Sequence, residues 1–342
     1  MPPTKTQPAL EFFAALTRGE IELALGRVTD DVEFDVSRSR GPWSGIFRGR
    51  SELRGVWESL GEGWRSMRWE STGSRPVGGR IAVATRIRAA GAASGIEVEA
   101  RAGWLISVRD GLVSAGVFFQ TYDEALLAGR RRALADARLY LVCEARPGGR
   151  DPGPLLDAAL RGGVDLVQLR DKELDDEGLV LAARAFRAAA DEHGALFFLN
   201  DRPDLVAACD ADGVHVGQDD MPVPEARRIA GDAALVGLST HSPLQFNAAL
   251  AAEGDARADQ LSAGPVVETP TKPGRPAAGI ELIGHAAAVA PDDAPWFAIG
   301  GIDAANVAEV VGAGARRIVV VRGVRDAADP EAAARELRAA LG

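Results

Sequence analysis

Seven short polar clusters in the C-terminal two thirds of the chain carry residue types suited to phosphate chemistry. Gln168, Arg170 and Lys172 stand at alternate positions in QLRDK, so an extended backbone presents all three on one side. Asn200 and Asp201 open NDR, Asp219 and Asp220 close HVGQDD, and Ser239, Thr240 and His241 follow one another. The stretch GPVVETPTKPG, Gly264 to Gly274, offers Thr269, Pro270, Thr271 and Lys272 on a backbone that its prolines keep out of the helical region. Gly300-Gly301 and Val321-Arg322 complete the set. Two carboxylates suit Mg²⁺, a hard ion that takes oxygen ligands and shares its shell with substrate phosphates. Arg170, Lys172 and Lys272 suit the remaining charge of a diphosphate. Backbone N–H groups at Gly300-Gly301 and after Val321 suit a second, separate phosphate. The clusters together describe a site for two phosphorylated ligands, one of them metal-bound.

Such clusters act together only if strands deliver them to one rim. Eight apolar runs lie along this part of the chain, and each after the first leads into one of the clusters: LYLVC (139–143), DLVQL (165–169), LFFLN (196–200), DGVHV (212–216), ALVGLS (234–239), ADQLSA (258–263), WFAIG (296–300) and RRIVVV (316–321). Alanine-rich helical stretches separate most of them, as at 177–192, 222–230, 242–252, 303–312 and 330–341. Strand and helix in alternation predict an α/β fold, a compact (β/α)₈ barrel of the TIM type, whose active site forms at the C-terminal strand ends. An open doubly wound sheet is the alternative, but no G-x-G-x-x-G follows the first of these strands. His215 alternates with Val214 and Val216 and so points opposite to both.

The first 130 residues differ in kind. Five of the six tryptophans, Trp43, Trp57, Trp64, Trp69 and Trp104, lie there, with Trp296 alone beyond. Helices are expected at Pro8 to Leu16, Ile21 to Val28 and from SELRGVW to Trp64, with Ser51 as the N-cap of the last. Strands are expected in VEFDVS, RIAVATRIRAAG, GIEVEARAGWLISVRDG and LVSAGVFFQTY. Helices followed by an antiparallel meander predict a smaller α+β domain over 1–128, a helical linker over 129–138 and the barrel over 139–342. The first 130 residues hold 17 basic and 16 acidic side chains, so the acidic excess behind the net charge of −10 lies wholly in the barrel. Neither part has the basic stripe of a nucleic-acid binder. Cys143 and Cys209 are the two cysteines, in apolar contexts without metal spacing, and read as buried thiols of a reducing compartment. No apolar run is long enough to span a membrane and the N-terminus lacks a signal-peptide core, so the expected location is cytoplasmic.

The motifs carry two resemblances. PWSGIFRG (42–49), the Ser94-Gly95 turn before IEVEA and WLISVRDGLV (104–113) resemble the SnoaL-like, ketosteroid-isomerase-like superfamily of cone-shaped α+β domains. That likeness implies an apolar pocket; were it catalytic, Asp35 would be the base and Tyr122 a donor, although a solvated Asp35 beside a tryptophan core is the favoured reading. VQLRDK (167–172), LNDR (199–202), DGVHVGQDD (212–220), GLSTHS (237–242), GPVVETPTKPG (264–274) and AIGGI (298–302) resemble, in order and spacing, the motif series of the thiamine phosphate synthase family. The resemblance implies a transferase that joins 4-amino-2-methyl-5-(diphosphomethyl)pyrimidine to a thiazole phosphate, or its carboxylated form, with release of diphosphate. It assigns Gln168, Arg170, Lys172, Asn200 and Lys272 to the pyrimidine diphosphate, Asp201 and Asp220 to Mg²⁺, and Ser239 to the diphosphate or pyrimidine. Thr269, Pro270 and Thr271 would position the thiazole phosphate, whose oxygens would meet the backbone at Gly300, Gly301, Val321 and Arg322. Arg170, Lys172 and Lys272 would be catalytic through charge neutralisation, and a serine is usual in relatives where Arg322 stands. A thiazole tautomerase using His241, and a non-catalytic sensor of thiamine intermediates, are the rival readings. The N-terminal domain is expected to serve dimerisation, giving a homodimer, or to bind a small apolar ligand.

Overall fold

The structure is a computed structural model that describes residues 6–41, 43–92, 95–267 and 278–342, with only the backbone for 60–63. The chain divides into two compact units, the first ending at Gly129 and the second beginning at Arg130. In the first, α1 (Gln7–Arg18) takes Pro8 in its first turn, where the missing N–H costs nothing, and ends on Gly19 at φ 71°. Its buried face is Ala9, Phe12, Phe13 and Ala15. The next helix, α2 (Ile21–Leu25), is shorter than expected: it stops at Gly26, and β-branched Val28 and Thr29 begin β1 (Val28–Asp35).

A short β2 (Ile46–Arg48) leads into α3 (Gly49–Gly63). Ser51 is not its N-cap. The helix begins two residues earlier, at Gly49, where φ is 73°, and the Glu52 carboxylate accepts the Arg48 N–H at 2.7 Å in place of a hydroxyl cap. Then follow β3 (Trp64–Val77), β4 (Arg80–Gly91), β5 (Glu97–Arg109) and β6 (Leu112–Phe119) in a six-stranded sheet of order β2-β1-β6-β5-β4-β3. β3 is an addition to the expected strands. It is an edge strand, rich in arginine and serine, with Met67 and Trp69 turned inward between exposed neighbours. The helices pack on one face of this sheet around Phe12, Phe13, Leu53, Phe34, Trp104 and Ile106.

Helix α4 (Tyr122–Asp136) leads to β7 (Leu139–Cys143). After it the strands are β8 (Leu166–Leu169), β9 (Leu196–Asn200), β10 (Gly213–Val216), β11 (Leu235–Thr240), β12 (Gln260–Ala263), β13 (Trp296–Ile299) and β14 (Ile318–Val320). All eight are parallel, and β14 closes on β7 through Val319 opposite Tyr140, which makes a closed (β/α)₈ barrel. The helices between them are α5 (Gly153–Arg161), α6 (Asp176–His193), α7 (Val223–Ala230), α8 (Pro243–Ala251), α9 (Gly279–Val289), α10 (Val307–Gly312), α11 (Arg322–Arg325) and α12 (Pro330–Ala340). Three have side-chain caps at the expected place: Asp175 to Gly178 N, Ser242 to Gln245 N and Asp329 to Ala332 N.

Alternation along each strand separates two kinds of interior. Leu139, Leu141, Val167, Phe197, Val214, Val236, Ala298 and Val320 pack outward against the helices. Tyr140 faces inward, with Phe198 at 6.3 Å and Phe297 at 5.6 Å between ring centroids. At the N-terminal ends an aspartate precedes each of β8, β10 and β12 and holds the start of the preceding strand. Asp165 accepts from Arg138 N and Leu139 N, Asp212 from Phe197 N, and Asp259 from Val236 N, all at 2.7–3.0 Å. No helix among the described residues is long and apolar enough to cross a membrane.

Candidate active site

At the C-terminal ends of the barrel strands lies a cavity of about 330 Å³. Gln168, Arg170, Asn200, Ser239, Gly300, Gly301, Val321 and Arg322, eight of the residues singled out from the sequence, line it. The period of two explains the delivery of Gln168: it is the inward residue of β8, and Val167 and Leu169 take the opposite side. Its amide nitrogen bonds to the Tyr140 hydroxyl. Burial pushes the Tyr140 phenol well above its ordinary value, against the opposing effect of the Gln168 bond, so the hydroxyl stays protonated.

Beside the cavity, where β9 ends, the chain turns sharply at Asp201, whose φ is 62°. Asp201 N–H donates to the His215 carbonyl at 2.9 Å, fixing the turn, and its carboxylate lies 3.5 Å from the Lys172 ammonium. Asp220 approaches from the loop after β10, where its Oδ2 also accepts the Gly217 N–H at 2.7 Å. Burial first, then the like charge and hydrogen bond of Asp220, push the Asp201 carboxyl above its ordinary value, with Lys172 and Asn200 opposing. Two carboxylates held this close repel one another until a cation joins them, which fits a hard divalent ion. Among the described residues no cluster of three or more such ligands occurs, so further ligands would have to come from elsewhere. Asp219 is exposed in the same loop.

The opposite wall is built on glycine. Gly300 has φ 108°, and a Cβ there would meet the Pro265 Cα at 2.5 Å. Val266 N–H donates to Ile299 O and Val267 N–H to Gly300 O, which lays the opening of the long loop along the end of β13. Thr269, Pro270, Thr271 and Lys272 lie outside the described residues. Arg322 begins α11 after Val321. Beyond it, Arg325 grips Asp326 through two bonds of 2.6 and 2.9 Å and also reaches Glu144. His241 lines the cavity with its Nδ1 2.7 Å from the Gly264 carbonyl, so that nitrogen carries the proton.

Sequence reasoning did not single out Tyr140, Ser262, Gln260 or Asp326 as site residues. The first three carried a signal: each is a polar group at the inward phase of a strand whose alternate residues are apolar or small. In the first unit all five tryptophans line one cavity of about 350 Å³. Asp35 does not. Phe34 takes the inward phase, while Asp35 accepts from Ser37 N–H at 2.9 Å and from the Ser37 hydroxyl. Those bonds hold its carboxyl below the usual range, which suits a turn-fixing carboxylate and not a base.

The comparisons with known proteins agree with this division. Residues 139–324 match the family model described as thiamine monophosphate synthase, and residues 9–115 match the SnoaL-like domain. The thiamine-phosphate synthase of Saccharopolyspora erythraea is 49% identical over 219 residues, covering 63% of this chain and 97% of that protein. That of Thermobifida fusca is 50% identical over 219 residues, 64% of this chain and 97% of the relative. Among solved structures, the thiamine phosphate pyrophosphorylase of Pyrococcus furiosus superposes with a TM-score of 0.53 at 31% identity, covering 62% of this chain and 96% of that one. With a closed barrel, a rim of paired carboxylates and cations, and this agreement over the whole barrel, the chain belongs to the thiamine monophosphate synthase family and carries a SnoaL-like domain ahead of it.

Proposed function

We propose that the barrel condenses 4-amino-2-methyl-5-(diphosphomethyl)pyrimidine with 4-methyl-5-(2-phosphoethyl)thiazole, or its carboxylated form, to thiamine phosphate and diphosphate. The observation that carries this reading is one cavity flanked by a carboxylate pair and walled by glycine. Asp201, Asp220 and Lys172 stand beside it where β9 and β10 end, Arg170 and Asn200 line it, and Gly300, Gly301 and Arg322 form another part of its wall. The floor of Gln168, Tyr140 and Ser239 is polar, as a heteroaromatic ring with hydrogen-bonding edges requires.

Gln168 and Asn200 orient the pyrimidine, while Arg170, Lys172 and Lys272 hold its diphosphate. Asp201 and Asp220 would hold Mg²⁺, which when bound neutralises part of the diphosphate charge. The thiazole phosphate lies against the backbone of Gly301 and Val321, with the Arg322 guanidinium in place of a hydroxyl, and Thr269, Pro270 and Thr271 are assigned to the same phosphate from their sequence motif. In the reaction the methylene C–O bond breaks, and its electron pair leaves with diphosphate. The thiazole nitrogen then supplies the pair that forms the new C–N bond. Arg170 and Lys172 lower the barrier by matching charge that accumulates on the leaving group, and the rigid strand ends align the two rings. No covalent intermediate with the enzyme is needed.

The test is thiamine phosphate formation by the purified chain with both substrates and Mg²⁺, with and without EDTA, beside Asp201→Ala. Turnover that EDTA abolishes and that falls by about 10²-fold or more in the variant supports the assignment. Well-folded protein without product overturns it. The SnoaL-like domain belongs to the same reading as a binder of a planar apolar molecule, supported by its tryptophan-lined cavity. Saturable quenching of tryptophan fluorescence by naphthalene derivatives, absent in Trp57→Ala, checks it. A homodimer is part of this reading too, supported by exposed Ile46 and Ile96 in the first unit, and light scattering of the full chain decides it.

A further inference from the structure

Three adjacent strands place His215, Gly237 and Gln260 at one level: His215 is the register partner of Gly237, and Gly237 of Gln260. Because the middle residue has no side chain, the outer two meet across it. Gln260 Nε2 lies 2.7 Å from His215 Nδ1, and His215 Nε2 lies 2.9 Å from the Ser239 hydroxyl. A Cβ on Gly237 would fall 2.5 Å from His215 Nδ1 and closer still to the Gln260 amide nitrogen. All of these side chains are buried, Gln260 to 1% exposure and Ser239 to 4%.

We propose that Gln260 and His215 are positioning residues for the synthase reaction, acting through Ser239. The Gln260 amide donates to His215 Nδ1, so that nitrogen is the bare one and the proton sits on Nε2. The Nε2–H then donates to Ser239 Oγ, and the Ser262 hydroxyl approaches the same oxygen at 3.4 Å. With its lone pairs engaged, Ser239 has one free function left, its own O–H. The relay therefore makes Ser239 a committed donor facing the cavity, preset for an acceptor oxygen or ring nitrogen of the pyrimidine diphosphate. Gly237 is the residue that allows the relay to close.

This inference rests on the synthase reading of the cavity, so the experiment has an arm without substrate. Nitrogen-15 spectra of histidine-labelled full-length protein at pH 7.5 should show His215 with a bare Nδ1 and a protonated Nε2. Gln260→Met, which keeps length and removes the donor, should give a mixture of tautomers. In the kinetic arm, Q260M should lower kcat/KM for the pyrimidine diphosphate by about 10- to 100-fold, the scale at which lost positioning slows a reaction. On a Ser239→Ala background the same change should cost less than about twofold, since what Gln260 orients is already gone. Gly237→Ala should reproduce both effects, and it carries both arms if Q260M does not fold. A His215 tautomer protonated on Nδ1, or equal losses from Q260M with and without Ser239, overturns the relay. If the wild-type chain shows no turnover, the synthase reading falls and the tautomer still judges the relay.

Discussion

Asp212→Asn should weaken the barrel at the end away from its chemistry. Asp212 is 2% exposed and lies between two buried arginines, Arg130 at 4% and Arg187 at 8%. Its Oδ1 takes Arg130 Nε at 2.9 Å, and its Oδ2 takes Arg187 Nη1 at 2.8 Å and the Phe197 N–H at 2.9 Å. The asparagine amide can accept at one position only; at the other, its NH₂ faces donors. Breaking a buried pair costs about 3–5 kcal/mol. The lower end applies here, because Arg187 keeps Asp191 at 2.9 Å and Arg130 keeps the Ala233 carbonyl at 2.8 Å. About 3 kcal/mol lowers the melting temperature of a domain of this size by roughly 6–12 °C. Calorimetry at pH 7 measures it, and turnover at 20 °C should stay within about twofold. The pH dependence has a fixed sign. Burial alone would raise the Asp212 carboxyl, but Arg187, Arg130 and the Phe197 N–H outweigh it and hold it below its ordinary value. Its contribution is therefore complete above about pH 4 and is lost as pH falls through the lower folded value. The gap between wild type and variant should close in that direction. A melting temperature within about 2 °C of wild type at pH 7 refutes the reasoning.

Gly300→Ala should cost about 1–2 kcal/mol from its positive φ alone, and more from the Pro265 contact. Its signature is a raised KM for the thiazole phosphate in steady-state kinetics, with a smaller change for the pyrimidine substrate. Cys143 and Cys209 are pushed up to about 12 and about 11, chiefly by burial, so neither should react with iodoacetamide at pH 8 until the barrel unfolds. Peptide mass spectrometry follows this directly. His241→Gln should leave appreciable synthase turnover, since its Nδ1–H is committed to the Gly264 carbonyl. Complete loss in a folded variant would give His241 an acid–base role.

The eight barrel strands were legible because each is buried on both faces, which leaves a run of apolar residues with few polar interruptions. β3 was hidden for the opposite reason. It is an edge with one half-buried face, and MRWESTGSR carries too little alternation to be told from a loop. The start of α3 was misplaced because Ser51 is a strong cap in isolation, whereas Gly49 and Glu52 do the same work two residues earlier. In the site, Gln168 and Ser239 could be read from strand phase. Which side chains pair could not be read, because Tyr140 meets Gln168 across 28 residues and Gln260 meets His215 across 45, contacts that need the pairing of the parallel strands to be seen. The aspartates before β8, β10 and β12 looked like ordinary strand starts, and their role as anchors of the neighbouring strand needs the register to be seen.

The Lys172–Asp201 pair bears on how this protein can be labelled. Of 342 residues only three are lysines, Lys5, Lys172 and Lys272, while arginine supplies every other permanent cation. Lys172 is 60% exposed at its side chain. Reagents that acylate or reductively alkylate amines, usually scattered over a whole surface, have here very few targets besides the N-terminal amine and Lys5. Two of those few belong to the proposed diphosphate site, so an ordinary surface-labelling chemistry acts on this chain as an affinity label, and protection by diphosphate would be read from two peptides alone.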